Sequence, residues 1–183
     1  MMTVLDIAPG QLATPTVVAT DASLGHHRGI PVAGFSWLAA DGRYTIDTVA
    51  TRSPLVAELT AILRAVTNHA GSGPLLVLSD CKLALIALAD LRRTGVNPTP
   101  AGGQAHRDAA RLLRQIGVAL RGRDVELRWV KGHAGHPLNE GADRLAVQAR
   151  RCVQSGGRLA GIAELADRIA AEACRTPLAS AAS

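Results

Sequence analysis

The chain has 183 residues, enough for one compact domain with a real core and little room for a second. A net charge of +5 favours polyanionic partners without specifying a fold, and just four aromatics (Phe35, Trp37, Tyr44, Trp129) argue against stacking bases on an aromatic platform. Cys81, Cys152 and Cys174 are odd in number, widely spaced and matched to no zinc-ligand pattern, so all three read as reduced thiols.

Residues 1–14 mix apolar and turn residues without a clear period and read as an N-terminal leader. The first strand is expected from Thr16, the run Thr16-Val17-Val18-Ala19-Thr20 ending in a turn at Asp21. Val32 to Ala40 and Arg43 to Ala50 carry Phe35, Trp37, Tyr44 and Ile46, and Asp41-Gly42 between them suits a two-residue hairpin turn. From Pro54 the positions Leu55, Leu59, Ile62, Leu63 and Val66 follow helical spacing, with Ser53 as N-cap and the helix ending near Ala70-Gly71. Leu75 to Leu78, bounded by Gly73-Pro74 and Ser79-Asp80, reads as a strand buried on both faces.

Leu83 to Leu91 resumes helical character, which Arg92-Arg93-Thr94-Gly95 and the Pro/Gly-rich stretch Val96 to Gly103 break into an exposed loop. Gln104 to Ile116 predicts a helix whose Arg107, Arg111 and Arg114 form one basic stripe, and Val125 to Val130 predicts a strand. Pro137 opens a helix to about Arg151, and Gly156-Gly157 separates it from an amphipathic helix over Arg158 to Cys174 followed by an Ala/Ser-rich disordered tail. The order predicts an α/β fold: a mixed five-stranded sheet, its first three strands antiparallel, with helices on both faces. Residues 15–153 would form the catalytic domain and 154–183 a C-terminal amphipathic helix and flexible tail. The N-terminus carries no secretory pattern and no run approaches a bilayer span, which predicts a cytoplasmic protein.

Four acids stand out. Parallel pairing would put Asp80 at the carboxyl end of a strand, where open α/β sheets hold their sites. Glu58 falls towards the apolar side of its helix, where unpaired carboxylates are seldom left; the competing reading is an ion pair with Arg64. Asp21 alone reads as a turn former and Asp143 alone as a solvated acid at the border of a buried stripe. Glu140 belongs to the first turn of the Pro137 helix, where the dipole favours a carboxylate. Hydrolysis of a phosphodiester needs an activated water, a neutralised phosphate and a stabilised leaving oxygen, which clustered carboxylates sharing two divalent ions provide.

Asp21 after a β-branched strand, Glu58 within Ala57-Glu58-Leu59, Ser79-Asp80 after an apolar strand, and Trp129-Val130-Lys131-Gly132-His133-Ala134-Gly135-His136 followed by Asp143 together resemble a type I ribonuclease H over residues 16 to 152. The resemblance implies the ribonuclease H-like fold and cleavage of the RNA strand of RNA–DNA hybrids to 5′-phosphate and 3′-hydroxyl ends. It implies two Mg²⁺ ions, Mn²⁺ substituting, on Asp21, Glu58, Asp80 and Asp143. His133 would assist proton movement or product departure, a task suited to imidazole, while His136 is structural or solvent-facing. Contacts to the hybrid fall to Ala22, Ser23, His26, Ser53, Lys82, Arg92 and Arg93, His26-His27 lying on a substrate-side loop.

The chain departs from the family pattern at Ala22, at Arg52-Ser53-Pro54 and at Cys81-Lys82, which shifts substrate contact towards backbone groups and Lys82. The segment matching the tryptophan- and lysine-rich basic protrusion of some bacterial members of that family keeps Arg92 and Arg93 but has no tryptophan, leaving Arg107, Arg111 and the C-terminal extension to compensate. The expected state is a monomer without an obligate protein partner. Two rivals are a non-catalytic hybrid- or RNA-binding module and a DNA-directed nuclease of the same fold, and the Lys131 to His136 motif disfavours the latter.

Overall fold

The computed structural model describes residues 14–71, 73–96 and 102–175. The expected leader (all but residue 14), most of the Val96 to Gly103 loop and the Ala/Ser-rich tail lie outside the described residues. The elements run β1 (Thr16–His27), β2 (Ile30–Ala39), β3 (Tyr44–Val49), α1 (Pro54–Asn68), β4 (Leu75–Ser79), α2 (Lys82–Thr94), α3 (Gln104–Ala119), β5 (Val125–Trp129), α4 (Pro137–Gln154), a 3₁₀ turn (Leu159–Ile162) and α5 (Ala163–Arg175). The five strands form one mixed sheet in the order β3-β2-β1-β4-β5. The pairs β1/β2 and β2/β3 are antiparallel, β1/β4 and β4/β5 parallel, as the α/β reading requires.

The turn expected at Asp21 is not there. β1 runs on to His27 and stays paired with β2 from Val18↔Ala39 through Asp21↔Ser36 to His27↔Ile30. The chain reverses instead at Arg28-Gly29, both with positive φ (50° and 78°), the conformation that a tight two-residue hairpin turn demands. A continuous ladder of backbone hydrogen bonds outweighs the local turn preference of one aspartate, and His26 and His27 end a strand rather than occupying a loop. The Asp41-Gly42 turn does form, Gly42 at φ 88° and Asp41 Oδ1 accepting from the Arg43 amide at 3.0 Å.

Each helix boundary has a local cause. The Ser53 hydroxyl accepts from the Val56 amide at 3.3 Å with Pro54 in the first turn, and Val56, Leu59, Ile62, Ala65 and Val66 go inward. α2 runs through Arg92 and Arg93 rather than breaking there. It stops at Gly95, left-handed at φ 65°, and the two arginines complement the negative end of the helix dipole. α3 outruns Ile116 to Ala119. The last helix begins at Ala163, not Arg158; the 3₁₀ turn before it contains Gly161, a poor helix former.

The sheet separates two apolar clusters. On one face Val18, Val77 and Trp37 pack with Leu59, Ile62 and Val66 of α1, Leu88 of α2, and Leu112 and Ile116 of α3. On the other, Ala19, Leu38, Leu76 and Leu78 meet Leu138, Ala142 and Leu145 of α4 and Ala166, Ile169, Ala170 and Ala173 of α5. All three cysteines are free, and no helix among the described residues is long and apolar enough to cross a membrane.

Candidate active site

The register of the parallel strands assembles the site. Thr20 of β1 faces Ser79 of β4, so the next residues, Asp21 within β1 and Asp80 just past the end of β4, lie side by side. The Thr20 hydroxyl donates to the Leu78 carbonyl at 3.3 Å across the same pair. Glu58 enters from the second turn of α1. One carboxylate oxygen each of Asp21, Glu58 and Asp80 lie within 4.8 Å of one another.

Asp143, in the second turn of α4, stands outside that trio, yet its charge helps to raise the pKa values of both Asp21 and Glu58. Asp21 is 6% exposed and Glu58 9%. Burial, and then the charges of Asp80 and Asp143, push Asp21 up to about 8; the Ala22 amide, donating to Asp21 Oδ1 at 2.6 Å, opposes this. Burial followed by Asp21 and Asp80 pushes Glu58 up to about 9, again opposed by the Ala22 amide.

Among the described residues no arginine or lysine pairs with any of the four acids, and Arg64 reaches Asp47 at 4.0 Å rather than Glu58. Glu58 Oε2 is buried without a hydrogen-bond partner. A buried carboxylate oxygen with no partner, in a cluster of hard oxygen donors with no counter-cation, fits a divalent ion such as Mg²⁺.

The remaining expected residues are scattered around this cluster. His133 is exposed in the loop after β5, its backbone left-handed at φ 50°, and forms no hydrogen bond among the described residues. The Ala22 amide is turned to the acids. Ser23 Oγ accepts from Arg150 Nε at 3.0 Å, which ties β1 to α4. His26 is exposed near the β1–β2 turn, its carbonyl accepting from Gln154 Nε2 at 2.8 Å, while His27 Nδ1 lies 2.8 Å from the Gln154 carbonyl. Ser53 is the α1 cap, and Lys82 opens α2 directly after the Asp80 turn.

Arg92 and Arg93 are not brought to the acids. They end α2 some ten residues beyond Lys82, about 15 Å along the helix axis. Arg92 Nη2 donates to the carbonyl of Val125, at the opposite end of the sheet, and Arg93 pairs with Asp90 at 2.9 Å. The α3 arginines are engaged locally: Arg107 bonds Gln104 and the Gly102 carbonyl, and Arg111 bonds Gln115.

Three features escape residue-by-residue reading. Trp129 Nε1–H donates to the Asp80 carbonyl at 3.2 Å. Gly132 lies so close to the Asp80 carboxylate that any side chain there would overlap Oδ2. Asn139 is buried in the first turn of α4, its side-chain Oδ1 unpartnered and its backbone N–H donating to His136 Nδ1 at 3.4 Å, so His136 caps the helix as its structural reading implies. Glu140 accepts from the Gly135 amide at 2.8 Å, also in line with its first-turn role. For the Asp80 contacts, the Trp and Gly of the Trp129 to His136 motif are the signal that the sequence carries.

A family model described as RNase H matches residues 13–151. A ribonuclease H of Tropheryma whipplei is 30% identical over 142 residues, covering 73% of this chain and 83% of the relative. The N-terminal RNase H domain of a Mycobacterium tuberculosis protein, solved as a maltose-binding-protein fusion, aligns with a TM-score of 0.56 at 20% identity over 78% of this chain and 99% of that one. A foamy viral protease-reverse transcriptase, solved in complex with an RNA/DNA hybrid, aligns with a TM-score of 0.60 at 19% identity over 81% of this chain and 22% of that one. With a matching profile over three quarters of its length and carboxylates gathered at the carboxyl edge of the sheet, the chain belongs to the ribonuclease H family of nucleases.

Proposed function

We propose that this chain hydrolyses the RNA strand of RNA–DNA hybrids, leaving 5′-phosphate and 3′-hydroxyl ends, with Asp21, Glu58, Asp80 and Asp143 holding two Mg²⁺ ions for which Mn²⁺ can substitute. The observation that carries this is the Asp21–Glu58–Asp80 cluster with its unpartnered Glu58 oxygen and, among the described residues, no arginine or lysine in an ion pair with it. Bound divalent ions supply charge neutralisation at the phosphate and make the attacking water more acidic. The side chains hold and orient. Asp21 and Asp80 are fixed by strand register, Glu58 by a capped helix, and Asp143 by a helix locked onto β2, where Ser36 Oγ donates to the Ala142 carbonyl at 2.7 Å.

In the reaction the water oxygen forms a bond to phosphorus, the bond from phosphorus to the 3′ oxygen breaks, and that oxygen takes up a proton. His133, exposed on its loop, moves a proton or helps product depart. Lys82, beside Asp80, meets the phosphate backbone, and Ala22, Ser23, His26 and Ser53 line the approach from β1 and α1. Arg93 contacts the duplex away from the scissile bond, while Arg92, engaged with Val125, contributes chiefly by anchoring α2 to β5.

The test is cleavage of matched hybrid, duplex RNA, duplex DNA and single strands with Mg²⁺, Mn²⁺ or chelator. Hybrid cut in its RNA strand only with metal is the expected result. Binding without cleavage identifies a non-catalytic module, and cleavage of duplex DNA identifies a DNA-directed nuclease. Asp80→Asn should retain the fold and hybrid binding and lose at least about a hundredfold in rate. Full activity in that variant refutes the assignment.

A further inference from the structure

We propose that Trp129 is a positioning residue for Asp80, holding the main chain of that aspartate from outside the acid cluster and keeping Lys82 beside it. This rests on the reading that Asp80 holds a divalent ion. Trp129 is the last residue of β5, level with Ser79 of β4 in the parallel register. It is 43% exposed, so burial in the core does not account for an indole at this position.

What the indole touches does account for it. Its Nε1–H donates to the Asp80 carbonyl at 3.2 Å, and the Lys82 amide donates to the same oxygen at 3.0 Å. Above the ring sits Lys82 Nζ, 4.3 Å from the centroid, a cation–π contact. Three residues further on, Gly132 stands where any Cβ would overlap the Asp80 carboxylate. Asp80 is therefore held at its carbonyl by Trp129, while the glycine at position 132 leaves its carboxylate room that a side chain would take away, both on the strand end and loop that also carry His133.

A carboxylate that shares an ion with Asp21 and Glu58 loses affinity when its own peptide can rotate. Groups that orient a ligand from behind typically affect binding of the ion and the rate together. Lys82 is a separate matter. Seated on the indole, its ammonium is held near the site without pairing with the acids, and its loss should be felt by the polyanionic substrate rather than by the ion.

The test compares Trp129→Phe, Gly132→Ala and Lys82→Met with the wild-type chain. Mn²⁺ affinity is measured by calorimetry on the protein without substrate, kcat and KM on the hybrid, and Tm by thermal unfolding. Trp129→Phe keeps a ring under Lys82 and removes the N–H donor. It should weaken Mn²⁺ binding and lower kcat by about tenfold each, with KM changed by less than about twofold. Gly132→Ala, which puts a Cβ into the Asp80 carboxylate, should also weaken Mn²⁺ binding and so checks Asp80 as a holder of the ion. If Trp129→Phe does not fold, Trp129→Tyr takes its place, with the same loss of Mn²⁺ affinity expected and wild-type affinity overturning the proposal.

Lys82→Met should raise KM and leave Mn²⁺ affinity as it was. A Trp129→Phe protein with lowered Tm but wild-type Mn²⁺ affinity and kcat overturns the proposal, because a merely structural tryptophan would behave that way. A wild-type chain that binds no Mn²⁺ or leaves the hybrid intact overturns instead the function on which the proposal rests.

Discussion

Gly34 of β2 lies directly beneath the Ala146 carbonyl of α4, so close that a Cβ on Gly34 would collide with the helix backbone there and at Arg150. α4 carries Asp143 one turn earlier, and β2 is bonded to β1, which carries Asp21. The glycine thus sets how near the fourth acid comes to the other three.

Gly34→Ala should push α4 away from the sheet. Overpacking a tight contact of this kind costs about 2 kcal/mol, a fall in Tm of about 5 °C for a chain of this size. Hybrid cleavage at a temperature well below the new Tm should fall further than any unfolded fraction explains, because Asp143 moves with its helix. A variant with lowered Tm and unchanged rate would separate the packing of α4 from the site.

The acids make stability depend on pH in an unusual direction. Asp21 and Glu58 ordinarily titrate at 3.8 and 4.5, and the fold moves them to about 8 and about 9. Between those limits the folded state binds more protons than the unfolded chain, so stability is greatest below about 4 as far as these two groups are concerned and is lost as pH rises towards 9. Metal-free protein should therefore show a falling Tm from pH 5 to pH 9. Saturating Mg²⁺ should flatten that slope and, at pH 7, displace up to about two protons, measurable by calorimetry in buffers of different ionisation enthalpy. A metal-free Tm that climbs across this range would contradict the burial of the two carboxyls.

α5 lies in the same apolar cluster as the sheet, although the Gly156-Gly157 break sets it apart in the sequence. Ile169 is 2% exposed among Leu38, Leu138 and Leu145. Ile169→Ala should cost about 3 kcal/mol in urea unfolding, the middle of the range for emptying a buried aliphatic site. Mn²⁺ affinity should stay close to wild type, since none of the four acids is on α5. A loss below about 0.5 kcal/mol, typical of surface positions, would show that the helix does not belong to the core.

Periodicity and end signals were enough to place the helices, the Asp41-Gly42 turn and the fully buried β4, because hydrophobic spacing and caps are local physics carried by a few neighbouring residues. The motif order pointed to Asp21, Glu58 and Asp80, three acids that the fold does bring together, and of the two readings of His136, structural or solvent-facing, the α4 cap matches the first. Local preference misled at Asp21, which favours turns in isolation but is held in β1 by hydrogen bonds to a strand more than ten residues away in sequence. It misled also at Arg92, which sits inside α2 and bonds to Val125 across thirty-three residues.

Only the tertiary structure decided that Asp21 and Asp80 emerge side by side, because that follows from the β1/β4 register, which no single segment encodes. It alone left Glu58 Oε2 buried without a partner and set the Trp129 N–H on the Asp80 carbonyl. Burial, pKa and second contacts depend on distances between segments that are remote along the chain, and those distances exist only once the sheet has closed its two layers of helices around it.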